Sequence, residues 1–337
     1  MTEESTLNYN LSWKDFEDLF GPSNETDPYG THSNTINIVS IALCSLSCIL
    51  GIPGNAIVIW IARFKMKRTV NTVWFLNLAC ADFLCCLSIP FIIAETVLDY
   101  DWPYGSFLCK VLPTVIVLNM FASVFTLTLI SLDRFAQVIM PVWSQNHRSV
   151  CLAQVLCGAV WMVSFLLSLP SLIYRSLKSD HNQCLYGDGT DVKTIYVTRF
   201  VLGFMGPLLV IVVCYSLIAM KVRSSFSKSK KALKIILGVI IAFFVCWLPY
   251  HIVGLIIEYG DDLPLAELLN SPSLSLAYIN SCVNPILYVF IGQDFKDKLR
   301  MSLRRALENA FSEDMTKSTV QSRGLPSRST PSSEAEL

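Results

Sequence analysis

Seven long stretches of apolar residues dominate the chain, at about 36–62, 71–94, 111–132, 149–174, 200–220, 235–257 and 268–292. A helix needs about 20 such residues to cross the hydrocarbon of a bilayer. Within all seven stretches the only acidic or basic side chain is Asp82, and His251 is the only histidine. Buried helices of soluble proteins rarely run so long without a charge. Lipid leaves no water to satisfy a bare backbone, so the runs predict helices, whereas a barrel would show short alternating segments. The expected fold class is an all-α membrane protein, a seven-transmembrane helix bundle. After the seventh span, Phe295, Leu299, Leu303 and Leu307 recur every four residues among Lys and Arg. That pattern predicts a short amphipathic eighth helix over 293–310, lying along the membrane surface.

The polar connections decide orientation. Of 337 residues, 53% are hydrophobic and 15% charged, against about 25% charged for a soluble domain, which argues against a soluble enzyme. The 26 basic and 26 acidic side chains cancel, which gives no basic excess for nucleic acid. They are nevertheless sorted. The first, third and fifth connections and the tail carry 20 Lys+Arg and 8 acids, and the other side carries 6 and 17. The excess of Lys and Arg places the C-terminus in the cytosol and, with an odd number of spans, the N-terminus outside. The sequons at Asn10 and Asn24 fall in that outer segment as candidate glycosylation sites. The acidic, polar N-terminus does not read as a cleaved signal, so the first span is expected to serve as signal anchor. The chain divides into an acidic extracellular N-terminus (1–35), the seven-helix domain (36–292), the interfacial helix (293–310) and a disordered cytosolic tail (311–337). Kinase candidates in that tail are Ser312, Thr316, Ser318, Thr319, Ser327, Ser329, Thr330, Ser332 and Ser333, a pattern suited to arrestin recruitment.

Ten of the twelve cysteines lie inside spans, where they act as small apolar residues. The other two, Cys109 and Cys184, both fall on the predicted outer side and are expected to form a disulfide holding the second outer loop over the mouth of span 3. In the membrane, Asp82 has polar residues at similar depth: Asn55, Asn119, Ser123, Asn280, Ser281 and Asn284. A carboxylate ringed in this way is either a hydrogen-bonded clamp between helices or a site for an allosteric sodium ion made of oxygen ligands. Pro249 in "CWLPY" and Pro285 in "NPILY" predict kinks, with Trp247 and Phe244 beside the first and Asn284 and Tyr288 around the second. "SLDRF" ends span 3, and its Asp133 and Arg134 are expected to form a locked pair that opens.

These motifs occur in one order: GN in span 1, LACAD in span 2, DRF after span 3, Trp161 in span 4, Pro207 and Tyr215 in span 5, CWLP in span 6 and NPILY in span 7. From about residue 35 to 311 the chain resembles the rhodopsin-like G-protein-coupled receptors. The resemblance implies a switch made of Asp133, Arg134, Tyr215, Phe244, Trp247, Pro249, Asn284, Pro285 and Tyr288, coupled to a heterotrimeric G protein. Span 7 has no lysine for a retinal Schiff base, and Ile116 stands where amine receptors have an aspartate.

"WPYGSFLCKVLPTVIVLNMFASVF", "PVWSQNHRSV" and "CWLPYHIVG" are similar to the chemoattractant branch, and within it to the complement anaphylatoxin receptors. Residues 111–132 and "ENAFSEDMTKST" favour the C3a type, while "VLGFMGPLL" and "AYIN" lean toward C5a. Arg175 and Arg199, beside Tyr174, Tyr250 and His251, suit an anionic group such as a peptide C-terminal carboxylate. The 17 outer acids suit a basic ligand. By the resemblance, Arg175, Arg199 and Tyr250 would hold the terminal arginine of an anaphylatoxin, with signalling through the Gi class in chemotaxis and inflammation. The family's aspartate near the outer end of span 7 falls on Asn270, with Glu258 and Asp262 as the acids nearby. A chemerin or formyl-peptide receptor is the alternative, and a transporter or channel conducting past Asp82 the remote one.

Overall fold

The computed structural model describes residues 28–98, 100–178, 182–222, 230–260, 264–291 and 297–301. Seven long helices make one bundle: span 1 (Pro28–Phe64), span 2 (Val70–Val97), span 3 (Gly105–Ile139), span 4 (Val150–Tyr174), span 5 (Val192–Phe200 continuing to Val222), span 6 (Lys230–Tyr259) and span 7 (Pro264–Ile291). Six of them are long and apolar enough to cross a membrane. The seventh, 28 residues long, packs against spans 1, 2 and 6 in the same bundle. Spans 1, 3, 5 and 6 run one or two turns past the apolar stretches, and spans 2, 4 and 7 keep close to theirs. Thr69, Ser149 and Asp191 cap spans 2, 4 and 5, accepting from the amides of Thr72 (3.2 Å), Leu152 (3.1 Å) and Thr194 (3.1 Å). A short helix, Pro141–His147, follows span 3.

Span 3 runs through the centre, buried along most of its length, while span 4 lies at the edge. Because the outer faces are apolar as well, large side chains such as Val155, Phe165, Leu209 and Ile241 stay exposed, as expected of helices solvated by lipid. Apolar side chains from all seven spans fill the core, and polar contacts tie the helices to one another. Asn55 donates to Ser281 O at 2.8 Å, joining spans 1 and 7. Trp161 donates to Asn77 Oδ1 at 2.7 Å and Asn77 to Thr126 Oγ1 at 2.6 Å, joining spans 4, 2 and 3.

Two features depart from the plain reading of the sequence. Span 5 is not uniformly α-helical: Val201–Met205 forms a turn of π-helix. Pro207 lies just beyond it and has no N–H to continue an α ladder, so the wider turn absorbs the mismatch. Gly203 lies within this turn close against Met120 and Phe121, which lets spans 5 and 3 approach. The loop after span 4 is also ordered. β1 (Arg175–Lys178) pairs antiparallel with β2 (Gln183–Tyr186), Arg175 opposite Tyr186 and Leu177 opposite Cys184. The disulfide Cys109–Cys184 ties β2 to the first turns of span 3, and buried Trp102 packs against it. Residues 297–301 are helical; the rest of the expected eighth helix, the N-terminal sequons and the tail lie outside the described residues.

Candidate functional site

Three polar clusters lie along the axis of the bundle. The first is at the hairpin end. Arg199 is only 3% exposed, and its Nη2 donates to Ser171 Oγ and Tyr186 Oη, both at 2.6 Å, while Nη1 reaches Tyr250 Oη at 3.4 Å. The Tyr196 ring lies 5.6 Å from the guanidinium. Arg175 stands over the Tyr186 ring at 4.7 Å, donates to Cys184 O at 3.1 Å, and its Nε has no partner among the described residues. Tyr186 is thus held between two cations. Burial alone would push its phenol up, but Arg199 and Arg175 bring it below the usual tyrosine range. Neither arginine forms an ion pair among the described residues, where the ion pairs are Arg148–Asp133 and Lys178–Asp188. A buried guanidinium with only hydroxyl, carbonyl and ring partners is suited to an incoming anion.

The structure places Arg199 within 3.4 Å of Tyr250 and both arginines against Tyr186, and the sequence reading did not include Ser171 or Tyr186. Both are ordinary residues in sequence, and Tyr186 reaches the site only because the hairpin folds it back. His251 is 1% exposed and packed among Phe200, Phe204, Trp247 and Tyr250, so it supports the cluster from below. Ile116 is buried in the core. Tyr174 is half exposed and lines, with Pro170, Asp191 and Arg199, a cavity of about 350 Å³ at the side of the bundle. Asn270 is exposed, its carbonyl taken by Ser273 at 2.8 Å. Glu258 faces Lys193. Asp262 lies outside the described residues.

The second cluster surrounds Asp82, fully buried at mid-span. Asn284 Nδ2 donates to its Oδ2 at 2.7 Å, a clamp between spans 7 and 2. Asn119 lies 3.2 Å from both Ser281 Oγ and Ser123 Oγ, and turned with its nitrogen toward the carboxylate it donates to Asp82 Oδ1 at 3.3 Å. Asn280 is buried beside this group, but neither of its amide atoms has a partner among the described residues. The hydroxyl and carboxylate oxygens collected here are the hard donors that an alkali cation takes. On the hairpin side, Trp247 meets Tyr250 edge-on at 5.5 Å and Phe243 at 5.9 Å, and Phe244 meets Phe204 at 5.0 Å, forming an aromatic stack between the two clusters. Pro249 and Pro285 lie inside unbroken helices, the latter against Gly54.

The third cluster corrects the sequence reading. Asp133 and Arg134 do not form a pair. Asp133 binds Arg148 at 2.7 Å, and Arg134 Nη2 donates to Asn71 Oδ1 at 2.7 Å. Neighbours in sequence on a helix point about 100° apart, so adjacency did not make a contact, and Arg148 was better placed. Tyr215 Oη is buried without a partner among the described residues, and the side chain of Tyr288 lies outside them.

Residues 54–288 match the pattern of the 7 transmembrane receptor (rhodopsin family). The chain is 55% identical to the C3a anaphylatoxin chemotactic receptor of Oncorhynchus mykiss, covering 97% of this chain and 94% of that protein. It is 43% identical to Chemerin-like receptor 1 of Bos taurus, over 93% of this chain and 94% of the relative. Identity to the C5a anaphylatoxin chemotactic receptor 1 of Gorilla gorilla gorilla is 36%, over 96% and 95%.

Proposed function

We propose, for a chain that belongs to the rhodopsin family of seven-transmembrane receptors, that it is a receptor for a C3a-type anaphylatoxin and passes that binding to a heterotrimeric G protein. The observation that carries this reading is Arg199, a buried guanidinium with three hydroxyl partners and no carboxylate among the described residues. A peptide C-terminal carboxylate supplies the missing charge and can be gripped bidentately. Tyr250 and Tyr196 then transmit the change, since Tyr250 touches Arg199 on one side and Trp247 on the other. Binding that favours one arrangement of this stack biases span 6, and with it the Arg134 end. The high identity to a C3a receptor supports C3a over C5a, and a chemerin-like ligand is the alternative.

The excess of Lys and Arg on the connections at the Arg134 end supports an outside N-terminus and a cytosolic C-terminus, hence a hairpin facing the ligand. The partner at the cytosolic face is a G protein of the Gi class, with arrestin following phosphorylation of the Ser/Thr-rich tail. A sodium ion beside Asp82, taking oxygens from Ser123, Ser281 and Asn119, would favour the inactive arrangement. Agonist potency then falls as sodium rises, and Asp82→Asn removes that dependence; a potency equally sodium-sensitive in the variant rules the ion site out. For the ligand, cells expressing the chain are challenged with C3a and with C5a, each intact and lacking its terminal arginine. Response to intact C3a alone, with its potency lowered about 100-fold by Arg199→Ala, is the expected result. Silence toward both peptides, or responses indifferent to Arg199, overturns the assignment.

A further inference from the structure

We propose that Arg148 is a positioning residue for signalling: by holding Asp133 it keeps Arg134 free of a carboxylate and therefore free to move. Both oxygens of Asp133 are occupied. Arg148 Nε donates to Oδ1 at 2.7 Å and Nη2 to Oδ2 at 3.1 Å, a side-on pair, and Gln137 Nε2 donates to Oδ2 at 2.8 Å. Gln137 is a wedge between the neighbours, because its Oε1 accepts from Arg134 Nη1 at 3.4 Å. Beside Gln137, what remains for Arg134 is the neutral Asn71 Oδ1 at 2.7 Å, and its Nε is buried without a partner among the described residues. Even that oxygen is shared, since Arg148 Nη2 reaches it at 2.9 Å. Two like charges on one neutral acceptor hold it less firmly than either would alone.

The consequence follows from charge and position. The Asp133 side chain is 11% exposed and that of Arg148 27%, so the acid is the inner member of the pair. Removing Arg148 leaves a largely buried carboxylate with one amide donor. The nearest cation without a carboxylate is then Arg134, one residue away. A part-buried charge left alone is costly, which drives the two together into a closed pair. Arg134 must break that pair before it can take part in coupling. The residue that by charge alone looks like a rim salt bridge is therefore permissive for activation.

The test uses purified full-length receptor in nanodiscs with a Gi heterotrimer, at equal receptor mass, and reads nucleotide exchange without ligand. The inference depends on G-protein coupling at this end and not on the choice of ligand, so ligand-free exchange separates its failure from that of the ligand assignment. Arg148→Gln is expected to lower exchange about fivefold, the low end of coupling between two sites. Arg148→Lys, which keeps the charge facing Asp133, restores most of it. In an Asp133→Asn background, Arg148→Gln has no further effect, because no carboxylate remains to recapture Arg134. Unchanged or raised exchange in Arg148→Gln overturns the proposal. So does an equal loss in the Asp133→Asn background, which would mark Arg148 as merely structural.

Discussion

The two ends of the bundle each hold a pair of arginines, and they satisfy them in opposite ways. At the hairpin end Arg175 and Arg199 enclose Tyr186 and have hydroxyls, rings and a carbonyl, but no ion pair among the described residues, Glu95 acting on Arg175 only from beyond ion-pair distance. At the other end Arg148 takes Asp133, and Arg134 takes the amide oxygen of Asn71. Hydroxyls and rings solvate a guanidinium but do not cancel its charge, so the first end keeps a standing attraction for anions. The second end has an internal acid, so its balance can be redistributed among its own side chains without any ligand. The difference suits one end to binding and the other to switching.

The largest expected effect breaks the first half of that contrast. Arg199→Ala should weaken C3a potency by about 100-fold, on the scale of ~2–5 kcal/mol for truncating one partner of a buried charge contact. A loss no greater than at an exposed hairpin residue such as Leu185 would show that Arg199 is structural. Next is the tether that presents the hairpin. Cys184→Ala should cost about 2–4 kcal/mol of stability and lower the thermal midpoint of the purified receptor. If it leaves both the midpoint and C3a binding intact, the hairpin is not what holds Tyr186 in place. The Arg148 variants follow, at about fivefold in ligand-free exchange. They separate an end that switches from one that only packs. The smallest change is Tyr186→Phe, which removes one hydroxyl acceptor from Arg199 but keeps the ring under Arg175. A net hydrogen bond of about 1 kcal/mol predicts roughly a fivefold loss of potency, measured by competition binding. A loss as large as that of Arg199→Ala would mean that the phenol touches the ligand itself.

Much of the molecule was legible because it depends on local properties. An uncharged run of 20 or more residues in lipid has one backbone solution, so the seven spans were readable to within a turn or two. Cys109 and Cys184 stood out because the remaining cysteines sit in apolar runs. Asp82 and Asn284 were placed together by depth alone, and they do bond. The π turn at Val201–Met205 was not anticipated, although Pro207 just beyond it was visible as the residue that cannot continue an α ladder. The hairpin carried a weaker signal, a four-residue pairing in a loop with no alternation to announce it.

Sequence by itself therefore determined the architecture, the disulfide and the family. The tertiary structure decided which partner each charge takes. Asp133 has Arg134 beside it in the chain and Arg148 fifteen residues away, and it binds the distant one. Arg199 meets Ser171 and Tyr186, residues with no mark of function on them. Helix formation is set by each segment's own composition. A partner is chosen by competition among groups that packing brings within reach, and that competition has no local signature.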